Sequence, residues 1–90
     1  MVPLDDVKIA RIKQLAESYG GTRLILFGSA VDNPSEARDI DLACDGIQGW
    51  KLYEFAAKLE DELRTSVDVI PLSPPNRFTA YIEKKGIAIL

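Results

Sequence analysis

The stretch LILFGSAVDNPSEARDIDLAC, residues 24–44, decides the fold. It opens on the apolar run Leu24-Ile25-Leu26-Phe27 and breaks at Gly28-Ser29. It then crosses a polar connection and closes on Asp39-Ile40-Asp41-Leu42-Ala43-Cys44. The β-branched and aromatic run from Arg23 to Phe27, bounded by glycines, reads as a buried strand. Asp32, Asn33, Pro34 and Ser35 are turn formers, and the connection is expected to start with a short helical turn. Asp39 to Ala43 alternates strictly, which predicts a second strand. Ile40, Leu42 and Cys44 fall on one face, and Asp39, Asp41 and Ala43 on the other.

Working outward, Ile9, Ile12, Leu15, Ala16 and Tyr19 recur at three- and four-residue steps and predict a helix over 5–19. Asp5 and Asp6 suit its N-terminal dipole, and Gly20-Gly21 supplies the stop. Leu52, Phe55, Ala56, Leu59 and Leu63 predict the clearest helix, over 50–64. Val67 to Leu72 reads as a third strand. Ser73, with Pro74 at the first helical position, predicts a helix running to Lys85 and stopped by Gly86. Ile87 to Leu90 is expected to form a short closing strand. The order is α-β-β-α-β-α-β. One sheet face can receive the three apolar helix stripes, and the face with Asp39 and Asp41 is expected to be open.

Ninety residues, 47% of them apolar and 8% aromatic, make one globular domain over 1–90 with a thin core. A large substrate-binding surface would have to come from a partner. The net charge of −3 argues against a duplex nucleic acid partner, since duplex binding rests on lysine and arginine neutralising phosphates. With no histidine, a Ser-His-Asp triad and a His-ligated zinc site are excluded. Cys44 is the only cysteine, which fits a reducing compartment. The first six residues lack the regions of a signal peptide, and no apolar run is long enough to span a membrane. A cytoplasmic protein is expected.

The chemistry concentrates in three places: Phe27-Gly28-Ser29, Asp39-Ile40-Asp41-Leu42, and Asp68 inside Val67-Asp68-Val69-Ile70. Two aspartates two apart on a strand point the same way, with side chains about 6.5 Å apart along it. Such a pair can flank divalent cations, and Mg²⁺ takes one or two carboxylates plus waters and phosphates. If the third strand neighbours the second, Asp68 joins the pair. A triad of this kind suits two metals that clamp the attacking and leaving oxygens of an in-line displacement. Gly28 lets a phosphate approach the backbone, and the Ser29 hydroxyl can hold it. Taken singly, the pieces also read as a solvated strand face, an edge-strand charge and a turn. Aspartate is disfavoured in strands, however, and three of them lie within two strongly apolar ones. Residues 27–70 carry a net −6 and the flanks together +3, so the middle of the chain is where cations are needed.

At these residues the sequence resembles the nucleotidyltransferase superfamily typified by DNA polymerase β. Its pattern is an apolar residue, Gly, then Gly or Ser, a spacer, Asp-apolar-Asp/Glu-apolar, and a later third acid. The length and the closing Glu83-Lys84-Lys85-Gly86-Ile87 segment are similar to the minimal nucleotidyltransferases (MNT) of prokaryotes. The resemblance implies an α+β fold, a mixed four-stranded β-sheet with helices on one face. It implies Mg²⁺ in a two-metal site on Asp39, Asp41 and Asp68, with Asp68 also assisting deprotonation of the acceptor. Gly28 and Ser29 would bind the triphosphate of ATP, and AMP would pass to a hydroxyl group with release of pyrophosphate. Minimal members are commonly encoded beside a HEPN-domain toxin, act as antitoxins, and in some cases adenylylate a tyrosine of that partner.

Relatives usually carry basic residues soon after Gly-Ser, where this chain has Ala30, Val31 and Asp32. Arg38 is the substitute nearest the metal aspartates, with Arg23, Lys51 and Arg77 as weaker candidates. The missing bases favour an alternative: a module of the same fold with weak or no catalysis that neutralises its partner by occlusion. Cys44 reads as a buried core thiol. Trp50, Tyr53 and Phe55 read as core or rim packing, with base stacking by one of them the lesser alternative, and Tyr81 as packing, with a modification target as its alternative. An exposed Trp50 would leave room for self-association or partner docking.

Overall fold

A computed structural model describes residues 4–90. The elements are α1 (Asp6–Ser18), β1 (Arg23–Phe27), α2 (Ser29–Asp32), β2 (Asp39–Asp45), α3 (Lys51–Leu63), β3 (Ser66–Pro71), α4 (Arg77–Lys85) and β4 (Ile87–Ala88). The strands form one mixed sheet in the order β3-β2-β1-β4. β1 pairs antiparallel with both β2 and β4, and β2 pairs parallel with β3. The parallel pair needs a crossover connection, and α3 supplies it.

Alternation along the strands sends Leu24, Leu26, Ile40, Leu42, Cys44 and Val67 to one face. There they bury Ile12, Leu15 and Ala16 of α1 and Phe55 and Leu59 of α3. Tyr19, just past α1, sets its ring 5.8 Å from that of Phe55. Arg11 of α1 forks onto both carboxylate oxygens of Glu62 on α3, at 2.7 and 2.6 Å. This pair is exposed, so it fixes the orientation of the two helices more than it adds stability. Asp5 caps α1 by accepting from the Lys8 amide.

The expectation of helices on one face holds for α1 and α3. α4 lies on the opposite face. Its Ile82 is fully buried with Ile25, Ala43 and Leu72, and Phe27 and Ile70 pack against this second, smaller core. The reason lies in β2: Ala43, on the aspartate side of the strand, is small and apolar and accepts a helix, whereas Asp39 and Asp41 do not. That face is therefore covered at one end and open at the other.

The start of α4 also departs from expectation. The helix begins at Arg77, not at Pro74. The Asn76 side chain accepts from the Thr79 amide at 2.9 Å, and the Thr79 hydroxyl accepts from the Asn76 amide at 2.8 Å. This reciprocal capping box satisfies two helix-end donors at once. Ser73, the expected cap, spends its hydroxyl on Asp45 Oδ1 at 2.8 Å. Asn76→Ala should therefore cost about 1 kcal/mol in urea unfolding and speed amide exchange at Thr79. Ser73→Ala should leave the exchange at Thr79 unchanged. The opposite ranking would return the cap to Ser73.

Candidate active site

The site is built outward from β2. Asp41 is the cross-strand partner of Phe27 on one side and of Asp68 on the other. Directly paired residues face the same way, so Asp41 and Asp68 stand side by side, with strands about 4.8 Å apart. Asp39 lies two residues back on the same face and pairs with Ser66. Asp39 and Asp68 are exposed, and Asp41 is half-buried. Burial raises the Asp41 carboxyl pKa above its ordinary value, and the charges of Asp68 and then Asp39 add to the rise. Asp41 thus feels both of its acidic neighbours, and three carboxylates stand at one end of one sheet face. Among the described residues, no three His, Cys, Asp or Glu side chains stand ready-gathered as metal ligands.

Gly28 caps α2 with φ +76°, a left-handed conformation that favours glycine. A Cβ there would come within 2.5 Å of Asp41 Oδ2. The positive φ is what favours glycine here, and the backbone lies so close to the Asp41 carboxylate that any side chain would also push that carboxylate aside. Ser29 opens α2 and is exposed. Its neighbours Ala30 and Val31 pack against the larger core, which explains apolar residues at positions where bases would reach solvent.

The candidate cations separate by position. Arg38 is exposed just before Asp39, and its backbone carbonyl accepts from the Thr65 hydroxyl at 2.8 Å, tying the entrance of β2 to the turn before β3. Among the described residues its guanidinium has no ion-pair partner. Arg23 starts β1 at the far end of the sheet and is engaged by Glu83 and by Asp45 at 3.6 Å. Lys51 opens α3, which follows the far end of β2. Arg77 opens α4 immediately before Phe78, whose ring meets that of Phe27. Arg38 and Arg77 are therefore the candidate bases on the carboxylate side.

A cavity of about 520 Å³ lies at the opposite end of β2, lined by residues that include Cys44, Asp45, Gly46, Ile47 and Ser73. Its carboxylate, Asp45, already binds Arg23 and Ser73. Size alone does not make it the reactive centre; the unneutralised carboxylates lie elsewhere. Sequence reasoning missed the ring pair of Phe27 and Phe78, centroids 5.8 Å apart and planes at 85°. The alternation of β1 places Phe27 on the Asp41 face, but only the crossing of α4 brings Phe78 to it. Cys44 is buried as expected, and burial followed by the Asp45 charge pushes its thiol up to about 11.

No protein-family description and no curated protein matches the chain. Solved structures do. The fold is the nucleotidyltransferase fold, shared with toxin–antitoxin complexes. A chain from the crystal structure of a toxin–antitoxin with AMP-PNP superposes with a TM-score of 0.76 at 22% identity, over 91% of this chain and 72% of that one. One from the toxin–antitoxin MntA-HepT gives 0.73 at 21%, over 96% and 72%. One from the tri-AMPylated Shewanella oneidensis HEPN toxin in complex with its MNT antitoxin gives 0.74 at 20%, over 97% and 72%. The α+β architecture and mixed four-stranded sheet expected from the sequence are the ones observed.

Two measurements check the geometry. Gly28→Ala should cost about 1–3 kcal/mol in urea unfolding, from positive φ and the clash with Asp41. In an Asp41→Ala background that cost should shrink; strict additivity would show that the carboxylate is not what excludes a side chain. Cys44 at pH 8 should be thiolate in roughly one molecule per thousand. Alkylation should accordingly be slow in the native protein and fast in urea, and rapid native labelling would contradict its burial.

Proposed function

We propose that this chain is an MNT-type antitoxin that transfers AMP from Mg²⁺-ATP to a tyrosine hydroxyl of a HEPN-domain toxin. The observation that carries the reading is the register of Asp41 with Asp68, with Asp39 on the same face and Gly28 held against Asp41. Such mutually unfavourable carboxylates, hard oxygen donors all, are what a divalent cation relieves. Support also comes from the fold shared with an MNT antitoxin whose HEPN toxin is AMPylated, and with a complex holding AMP-PNP.

In this reading Asp39, Asp41 and Asp68 would hold Mg²⁺, which would supply charge neutralisation at the α-phosphate and at the leaving pyrophosphate. The Ser29 hydroxyl and the backbone at Gly28 bind the triphosphate, and Arg38 adds the positive charge that Ala30, Val31 and Asp32 do not provide. The acceptor oxygen attacks the α-phosphorus as the bond to the β-phosphate oxygen breaks, and the electron pair leaves with pyrophosphate. Asp68 takes the acceptor proton. Residues 1–90 act as one domain, with the acceptor brought by the partner, in the cytoplasm where ATP is supplied. Among the described residues no helix is long and apolar enough to cross a membrane.

A second reading has its own support: among the described residues no three acids are gathered as a metal cage, and bases are missing after Ser29. It makes the chain a neutralising module that covers the toxin without modifying it. Labelled ATP with Mg²⁺ and the purified HEPN partner separates the two. Transfer that falls at least about a hundredfold in Asp39→Asn/Asp41→Asn, the scale on which catalytic electrostatics act, supports the enzyme. Neutralisation of the toxin with no label transferred, and none lost in that variant, supports occlusion.

A further inference from the structure

We propose, resting on the AMP-transfer reading above, that Phe27 and Phe78 form the acceptor shelf of this site and select a phenol over an aliphatic hydroxyl. Phe27 is the last residue of β1 and the cross-strand partner of Asp41. Paired residues on one face have Cβ atoms about 4.5–5.5 Å apart, so the ring begins beside the Asp41 carboxylate. Phe78 comes from α4 and meets this ring edge-on. Ile25, Ala43, Leu72 and Ile82 back Phe27 from the interior of the sheet. Ile25 and Ala43 lie one step along the sheet toward the closed end, so Phe27 and Phe78 offer their exposed ring surface at the boundary between the covered half of this face and the half with the aspartates.

That surface is large. Phe78 is 53% exposed, and Tyr81, one turn further along the same side of α4, is 52% exposed. An edge-on pair with one wet side offers a third ring the offset or edge contacts that aromatic groups prefer. The chemistry of the acceptor decides which ring fits. A phenol carries its nucleophilic oxygen on the ring itself. When that oxygen lies about 3–3.5 Å from the α-phosphorus, as attack requires, the ring must lie immediately behind it, next to the carboxylates. A serine or threonine hydroxyl places only one carbon there and gains nothing from the shelf. Adenine is separated from the α-phosphorus by the ribose and its 5′ carbon, so nothing in the attack requires it to lie beside the carboxylates as the phenol ring must. In the transfer the phenol oxygen bonds to the α-phosphorus, pyrophosphate leaves with the electron pair of the broken bond, and the phenol proton passes to Asp68.

The test uses the whole chain and two small probes, N-acetyltyrosinamide and N-acetylserinamide. Aromatic NMR signals of Phe27 and Phe78 should shift saturably with the tyrosine probe and stay in place with the serine probe. Phe78→Leu should abolish the response and Phe78→Trp should retain it, with thermal unfolding showing both variants folded. In label transfer from Mg²⁺-ATP, Phe78→Leu should raise the acceptor KM by about tenfold, the scale of one aromatic contact, with the KM for ATP unchanged. Equal shifts with both probes, or none with either, would overturn the shelf even where wild type transfers AMP. A rise in the KM for ATP instead would assign the rings to adenine and overturn it too. Ring shifts with the tyrosine probe in a protein that transfers no label would uphold the phenol site and remove the enzymatic reading.

Discussion

The structure depends on the register of a single strand. β2 is hydrogen-bonded on both sides, antiparallel to β1 and parallel to β3. A slip of one residue would turn Asp39 and Asp41 into the apolar core and send Ile40, Leu42 and Cys44 to the other face. Ile40 and Leu42 are fully buried, so that slip would exchange buried hydrocarbon for buried charge. The apolar half of β2 therefore holds the acidic half in place. Side chains that do no chemistry set the position of those that can.

The same strand divides the second face along its length. At Ala43 the face is small and apolar, and α4 closes over it through Ile82. At Asp41 and Asp39 it is charged and stays open. Arg23, bound to Glu83 of α4 and to Asp45 of β2, ties the helix down at the closed end. Its cation is thereby used for structure, which leaves the open end to Arg38 and Arg77. The half-burial of Asp41 has its cost here too: the carboxyl is less willing to ionise than an exposed one, through burial first and its two acidic neighbours second. A cation at the open end would reverse that balance.

Much of this was legible beforehand because helix stripes and strand alternation are local properties. α1 and α3 lie within a residue of their expected bounds, and the face assignment of β2 follows from its alternation. The misreadings share a cause. Ser73 and Asn76 are both competent caps, and only the position of Asp45 draws the Ser73 hydroxyl away. The face taken by α4 was not legible either, since its stripe would pack equally well on either side of a sheet. The backbone freedom of Gly28 is readable from its residue type, whereas its closeness to Oδ2 of a residue thirteen positions later is not.

The sequence by itself determined the elements, the alternation that segregates Asp39 and Asp41 from the core, and the absence of histidine chemistry. These depend on side-chain type and on periods of two and 3.6 residues, which a linear string carries. Tertiary structure alone decided that Asp68 stands beside Asp41, that Phe78 reaches Phe27, and that Arg23 and Lys51 lie at the far end. Each of these depends on strand direction and on which side a crossing helix takes. Backbone hydrogen bonding and burial settle those choices between residues distant in sequence, so no local pattern records them.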